Sequence, residues 1–361
     1  VPTKELLPIL QLAQSFTAKR DIVPALRYIY FQDDTIRSFS GDAGAVWYSP
    51  WTVPAPFAVP GDALTRIIQS LFDQGVEEIS LERKENSLGV RGAGFRGTLP
   101  LLAETDRSGF ILREFPESTA RVSLADEFWN LAAKAEFTVC QDETKPTLRG
   151  IYWAPSVFIT TDAFRVTAVY PPSSSRTSPP GGKGMLIPDH LLARLGARRR
   201  EVSAVALDGG LFWCFLSSGA VYGSMVEGDF PASRPIALIK TARDGSQTEG
   251  TTVQLPEGML DVVLTRLLYF AEPPTYRIDI EITRDAAILS VAGVDGPSAE
   301  ETLPAKVQGA SGRFSINGRY FRDALGAVGT KFWVHLATTA PAYFRAANNQ
   351  IEHAVLRLSD V

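Results

Sequence analysis

Three features of the sequence predict an α+β protein made of three tandem copies of one small domain. The peptide Pro-Ala-Leu-Arg at 24–27 returns as Pro-Thr-Leu-Arg at 146–149 and as Pro-Thr-Tyr-Arg at 274–277, at steps of 122 and 128 residues. An apolar stretch of helical period precedes each copy (Leu6–Phe16, Leu124–Phe137, Met259–Phe270), and an alternating, strand-like segment follows it. A second landmark, Val59-Pro60, Ile187-Pro188 and Ile316-Asn317, opens another helical pattern each time, at steps of 128 and 129 residues. Periods of this length match a small domain, whereas solenoid repeats run 20–50 residues. Each copy combines strands with two helices packed on sheet. The boundaries fall at 1–118, 119–244 and 245–361.

In the first copy Leu6, Leu7, Ile9, Leu10, Ala13 and Phe16 share a helical face, with Pro8 placed to start the helix, where a missing N–H is harmless. Ala25–Phe31 and Thr35–Ser40 read as strands paired around Asp33-Asp34. Asp62–Phe72 reads as a second amphipathic helix, Glu78–Arg83 and Ser87–Leu99 as strands, and Glu114–Ser118 as a linker. In the second copy Ser123 and Asp126 are candidate caps for a helix over Glu127–Phe137. Gly150–Ala154 and Val157–Thr161 form a strand pair, and Pro171–Gly184, rich in Pro, Ser and Gly, is a surface loop. Asp189–Gly196 is the second helix; Ser203–Leu207, Leu211–Leu216 and Val221–Val226 are strands. The third copy has helices over Gly258–Phe270 and Arg319–Val328. It also has a hairpin of Arg277–Thr283 with Ala287–Ala292 turning at Arg284-Asp285, and closing strands Lys331–Ala337, Ala342–Ala346 and His353–Leu358.

The 361 residues are 45% hydrophobic and 21% charged, values of an ordinary soluble domain protein. The net charge of −4 excludes a generally basic nucleic-acid glue, so any DNA contact must come from local clusters. Cys140 and Cys214 sit in apolar patterns and read as buried free thiols. The N-terminus is polar and Pro-punctuated, unlike a signal peptide. Met259–Ala271, the longest apolar stretch, is broken by Asp261 and Arg266 and is too short to span a bilayer. These features predict a cytoplasmic protein with no membrane partner. His190, His335 and His353 are far apart, and no Cys-x-x-Cys is present, so no metal is expected. Gly181-Gly182-Lys183-Gly184 lacks the Ser or Thr and the preceding strand of a phosphate loop. No nucleophile stands with a base, and the acidic pairs fall at turns. The expectation is a protein without catalytic residues or cofactor.

Positive charge is more informative. Arg194, Arg198, Arg199 and Arg200 cluster in and after the second helix of the second copy; Arg66, Arg319 and Arg322 lie on the equivalent helices of the other copies. Lys19 and Arg20 follow the first helix, Lys134 lies on its counterpart, and Lys145 and Arg149 come after that. On pseudo-symmetric domains these cations would face one phosphate backbone.

Asp-Glu-Thr-Lys-Pro-Thr-Leu-Arg-Gly over 142–150, followed by Ile-Thr-Thr-Asp-Ala-Phe-Arg-Val over 159–166, resembles the middle domain of bacterial DNA sliding clamps, the beta subunit of DNA polymerase III. Met185–Pro188, Glu227–Pro231 and Phe314–Tyr320 with Asp323-Ala324-Leu325 are similar to further landmarks of that family, in the same order along essentially the whole chain. Domain one matches mainly by its architecture and Val59-Pro60. The chain departs from the pattern at Ala163, where the family has Gly, at Val166, where it has Leu, and in the tail Ala354–Leu358, which lacks the family's Pro.

The resemblance implies a head-to-tail homodimer closing a ring of six domains, with sheets outside and helices inside, around non-specifically bound double-stranded DNA. It implies a DNA polymerase, other proteins carrying a clamp-binding motif, and a clamp loader as partners. Arg20, Arg66, Lys134, Lys145, Arg194 and Arg198–Arg200, with Lys19, would face DNA. Leu148, Thr161, Ala163, Phe164, Arg165 and Val166 would form one wall of a partner-peptide cleft, with Leu238, Asn317, Tyr320, Val355 and Leu356 forming the rest. Tyr269 and Phe270 would contact domain one of the second subunit. Two other functions fit the same residues: a monomeric three-domain binding module, and a DNA-processing enzyme with an unrecognised site.

Overall fold

The structure, a computed structural model, describes residues 1–19, 23–49, 52–103, 106, 113–116, 119–256, 258–292, 298–336 and 339–359, except for the side chains of 246–249. The first copy runs α1 (Thr3–Ser15), β1 (Tyr28–Gln32), β2 (Thr35–Phe39), β3 (Ala43–Tyr48), β4 (Phe57–Pro60), α2 (Gly61–Asp73), β5 (Ser80–Arg83), β6 (Ser87–Gly92) and β7 (Phe95–Pro100). The second runs β8 (Val122–Ser123), α3 (Phe128–Ala133), β9 (Gly150–Ala154), β10 (Val157–Thr161), β11 (Arg165–Val169), β12 (Met185–Pro188), α4 (Asp189–Leu195), β13 (Ala204–Asp208), β14 (Leu211–Leu216) and β15 (Gly219–Ser224). Helix α5 (Ser233–Glu249) follows. The third copy comprises β16 (Thr251–Gln254), α6 (Leu260–Leu268), β17 (Arg277–Ile282), β18 (Ala286–Val291), β19 (Ala299–Pro304), β20 (Lys306–Gln308), β21 (Gly312–Asn317), α7 (Gly318–Val328), β22 (Lys331–Val334), β23 (Ala342–Arg345), β24 (Ile351–Val355) and β25 (Arg357–Leu358).

Several elements differ from the sequence expectation for identifiable reasons. Helix α1 starts at Thr3, ahead of Pro8, because Thr3 is tied down: its N–H donates to Glu77 O at 2.9 Å and its hydroxyl to Val76 O at 2.5 Å. Pro8 forfeits one bond, to the carbonyl of Lys4, an exposed residue that water can reach. Pro24–Arg27 and Pro146–Leu148 are 3-10 turns, not strand starts, since proline presets the φ of a first turn. Ser87–Leu99 is a hairpin, with Ala93 and Gly94 at positive φ. The helix expected over Glu127–Phe137 ends at Ala133 and resumes as a 3-10 turn, Glu136–Thr138. The closing strand breaks at Leu356, where the chain leaves one sheet and joins another. Strands β3, β4, β8, β11, β12, β16 and β19–β21 and helix α5 were not expected.

The described residues form two compact units, one of 1–126 with 187–225 and the other of 127–186 with 226–361, so the middle copy is divided between them. The first unit contains an eight-stranded antiparallel sheet, β4-β1-β2-β3-β15-β14-β13-β8, in which β3 of the first copy pairs with β15 of the second, and a three-stranded sheet β5-β6-β7. Helices α1, α2 and α4 belong to it. One face of the large sheet carries the apolar cluster Phe39, Val46, Ala206, Trp213, Phe215 and Tyr222, over which Phe115 packs. Phe115 also stacks on Tyr48 at 5.0 Å.

The second unit repeats this device. Its nine-stranded sheet runs β12-β9-β10-β11-β24-β23-β22-β16-β20, with β11 of the second copy paired to β24 of the third; a five-stranded sheet runs β19-β18-β17-β21-β25. The strand alternation sorts side chains onto two faces. Thr160, Thr167, His353 and Phe344 stand in cross-strand register on one. Ile159, Ala168, Glu352 and Arg345, with Val166, Ala354 and Tyr343 beside them, stand on the other. Helix α7 packs Phe321 against Phe344 on the first face; α5 packs Ile239 and Ala242 into the cluster on the second.

Candidate functional site

The turn between β10 and β11 is built by its own side chains. The Thr161 hydroxyl donates to Arg165 O at 2.7 Å and accepts from Ala163 N–H at 3.1 Å, while Asp162 Oδ1 accepts from the N–H groups of Phe164 and Arg165, each at 3.0 Å. This bonding holds Ala163 at φ +81, a left-handed conformation that costs a β-carbon about 1–2 kcal/mol. It also thrusts Phe164 into solvent, 53% exposed, with Lys145 Nζ 5.8 Å from the ring centroid. The Phe164 carbonyl accepts from Leu356 N–H at 2.9 Å, so the turn and the corner of the tail meet.

Arg165 is buried and shared. Its Nε donates to Asp162 at 2.8 Å, Nη1 to Asp323 at 2.7 Å and Nη2 to Phe137 O at 3.1 Å, and its guanidinium lies 4.2 Å from the centroid of the Tyr320 ring. Two carboxylates and a ring face offset the desolvation of that charge. Burial, then the Asp162 charge, pushes the Tyr320 phenol up. Asn317 caps α7, its side-chain oxygen accepting from Arg319 and Tyr320 N–H at 3.0 and 3.2 Å.

The eleven residues expected to line a peptide cleft all lie in the second unit, but they do not form one surface. Arg165 and Val166 are neighbours in a strand and face opposite ways. Arg165, Val355 and Tyr320 belong to the α7 face. Thr161, Val166 and Leu148 lie toward α5, where Leu238 packs on the same cluster. Ala163, Phe164 and Leu356 sit at the strand ends. Leu148, Thr161, Arg165, Val166, Asn317 and Val355 are buried; Phe164 and Ala163 are open.

A second polar centre had no signal in the sequence, because a lone Glu in a strand reads as solvent-facing. The Glu352 carboxylate, 2% exposed, accepts from Tyr343 OH at 2.7 Å, Tyr170 OH at 3.0 Å and Arg243 Nη1 at 3.2 and 3.3 Å, with Arg345 Nε at 3.9 Å. Burial, then the neighbouring carboxylate, pushes both tyrosine hydroxyls well above their usual range.

The cations expected to face DNA divide by function. Arg20 lies outside the described residues. Arg194 Nη1 donates to Ser15 O and Nη2 to Asp42, each at 3.0 Å, so it pins the end of α1 to the turn before β3. Burial raises the Asp42 carboxyl, but Ser40 and Arg194 together hold it below the ordinary value. Arg66 pairs with Asp62 along α2, Lys145 with Asp142, and Arg198 lies 4.0 Å from Glu201, all at the surface, where water and salt screen such pairs. Arg199 is half-buried in the 3-10 turn after α4. Lys19, Lys134 and Arg200 are exposed with no counter-ion among the described residues.

On α6, Met259, Val262, Arg266 and Tyr269 recur at helical spacing; Met259 and Val262 are over half exposed and Tyr269 is 84% exposed, while Phe270 is half-buried. Met259, Val262 and Tyr269 leave that face of α6 unpacked among the described residues. Among the described residues no three His, Cys, Asp or Glu come together to hold a metal, and no helix is long and apolar enough to cross a membrane.

The chain is thus three α+β copies in which one sheet joins the first copy to the second and another joins the second to the third. The structure is similar to that of a DnaN sliding clamp (DNA polymerase III subunit beta) from Bartonella birtlesii bound to griselimycin, with 19% identity, a TM-score of 0.84 and coverage of 100% of this chain and 99% of that one. A DNA polymerase III beta subunit from Thermotoga maritima matches with 16% identity and a TM-score of 0.83 over 100% and 99%. A putative DNA polymerase III beta subunit from Eubacterium rectale matches with 13% identity and 0.82 over 99% and 98%. No family model matches the sequence, and no curated protein matches it. The chain therefore has the sliding-clamp fold along its full length.

Proposed function

We propose that this chain is a divergent DNA sliding clamp, a homodimeric ring that encircles duplex DNA and tethers a polymerase and other proteins to it, without catalysis of its own. The observation that carries the reading is the likeness to clamp structures over the whole of both chains. The α6 stripe of Met259, Val262 and Tyr269 supplies an apolar face for a second copy. Three domains, 1–118, 119–244 and 245–361, would each contribute two helices to the DNA side. A closed ring holds DNA by topology, so weak, sequence-independent phosphate contacts suffice, and tight ones would impede sliding. Of the candidate cations, Lys19, Lys134 and Arg200, which have no counter-ion among the described residues, would make them.

The test is retention on circular and linearised DNA. A preformed ring opened by a loader should stay on circles and run off linear ends. Equal loss from both substrates, or a mass in solution of one chain at all concentrations, would overturn the reading.

A further inference from the structure

We propose that α5 is a built-in cover on the partner cleft, held shut by the buried Glu352 carboxylate through Arg243. The inference rests on the reading that the cleft takes a partner peptide, and it specifies how that site is regulated. Four observations support it. The apolar wall offered by Leu148 and Val166 is closed in this structure: both side chains are buried in the same cluster as Ile239 and Ala242 of α5. An apolar anchor reaching them must move α5 side chains aside. Among its described side chains, α5 buries only a narrow stripe, Pro235, Ile239 and Ala242 at i, i+4 and i+7, across β10, β11, β23 and β24. After Arg243 the helix sequence turns polar, Asp244-Gly-Ser-Gln-Thr-Glu249.

The ionic contact adds to this apolar stripe in docking the helix. Glu352 is a buried charge that needs a cation; Arg345 Nε stands 3.9 Å away, and Arg243 reaches both oxygens at 3.2 and 3.3 Å. Tyr170 and Tyr343 hold the carboxylate in place from within the sheet, at 3.0 and 2.7 Å, so the latch has a fixed post and a removable arm. Gly228, at φ +91 five residues before the helix, is a backbone position that can absorb the change of direction on opening. Exposed Ile236 and half-exposed Leu238 lie on the first turns of α5, where an entering peptide would make its first contact.

A peptide that binds the open form has its apparent affinity lowered by the open fraction. Weakening the latch should therefore tighten binding. The experiment compares the wild-type full chain with the double variant Arg243→Gln/Glu352→Gln, which removes both charges together and keeps hydrogen-bonding groups for the tyrosines. Arg243→Lys, which keeps a cation, serves as the conservative variant.

Amide hydrogen exchange of α5 is read alongside calorimetric affinity for a short synthetic peptide carrying a glutamine followed by leucine and phenylalanine anchors. The double variant should exchange α5 amides about tenfold faster and bind the peptide about tenfold tighter, an opening of one decade read twice. Arg243→Lys should fall between it and wild type, and exchange in β11 and β24 should be unchanged. Equal or weaker peptide binding by the double variant, with α5 exchange accelerated, would overturn the cover while the partner site stands. Binding by neither protein would overturn the partner-site reading, and the cover with it. Unchanged α5 exchange would overturn the latch.

Discussion

Single positions in the turn after β10 and in the seam between β11 and β24 carry measurable consequences. Ala163 sits at φ +81 because Thr161 and Asp162 fix the turn around it. Ala163→Gly removes the steric cost of that conformation but loosens the unfolded chain, and the balance favours the variant by about 0.5–1 kcal/mol. Urea unfolding should show a higher midpoint at unchanged slope; a lower midpoint would mean the turn is unstrained. On the α7 face of the same seam, Thr138, Thr160, Thr167 and His353 form a buried chain ending at His353 Nδ1, 2.9 Å from the Thr167 hydroxyl, while Nε2 has no partner.

Burial, reinforced by the Arg165 charge, depresses the His353 pKa to about 3 from the usual 6.5. The unfolded chain thus binds a proton near pH 6.5 that the folded chain refuses. The stabilisation from neutral His353 is complete above that pH and is lost as pH falls toward 3, with a slope of at most about 1.4 kcal/mol per pH unit. His353→Leu should flatten the stability profile between pH 6 and 4. An acid limb as steep as that of wild type would assign it to other groups.

At the scale of elements, α6 and the basic segments make opposite kinds of surface. The α6 stripe is apolar and open, so Val262→Ser with Tyr269→Ser should leave the monomer folded and weaken self-association by two decades or more, since burying two such side chains contributes roughly 3–6 kcal/mol. Light scattering over a dilution series decides it: a dimer of wild-type affinity would place the interface elsewhere. Among the cations, the structure separates load-bearing from free. Replacing Lys134 and Arg200 by Ala should lower the salt slope of DNA association by about one unit each, with no change in thermal stability. Arg194→Ala should do the reverse, costing about 1–3 kcal/mol because Ser15 O and Asp42 lose a charged partner, with the salt slope unaltered. A reduced slope for Arg194→Ala would show that its pairing opens on DNA.

At the scale of the molecule, each sheet that joins two copies is also crossed by the segment linking them: Phe115 packs over one face of the eight-stranded sheet, and α5 over one face of the nine-stranded sheet. Such a chain should not come apart at its repeat boundaries. A fragment of 1–244 retains β11 but lacks β23 and β24, leaving Arg165–Val169 as an open edge and taking Tyr343 and Ala354 from the cluster around Ile159 and Ala168. It should aggregate or bind a hydrophobic dye, whereas a soluble fragment with cooperative unfolding would make the repeats independent. The threefold repeat was legible because Pro at the start of a turn and before a helix leaves a mark that needs no tertiary context. The amphipathic helices α2, α4, α6 and α7 were legible for the same reason. Helix α5 was not, because Pro235 and Gly245 break its pattern and its fully buried described side chains are few, Pro235, Ile239 and Ala242. Of the candidate site, the motif around 159–166 located the turn, but a period of two sends Arg165 and Val166 to different faces, one packed by α7 and the other by α5.

The pairing of β11 with β24 also sets a schedule. Thr167 and His353, bonded across that seam, are 186 residues apart in the chain. At the usual 5–20 residues per second of synthesis, β11 emerges roughly 10–40 s before the strand that will cover its edge. For that interval the nascent middle domain presents an unpaired strand beside an apolar face. The second unit therefore cannot complete its nine-stranded sheet until β24 has been made, and its yield should depend on translation rate and on whatever shields that edge meanwhile.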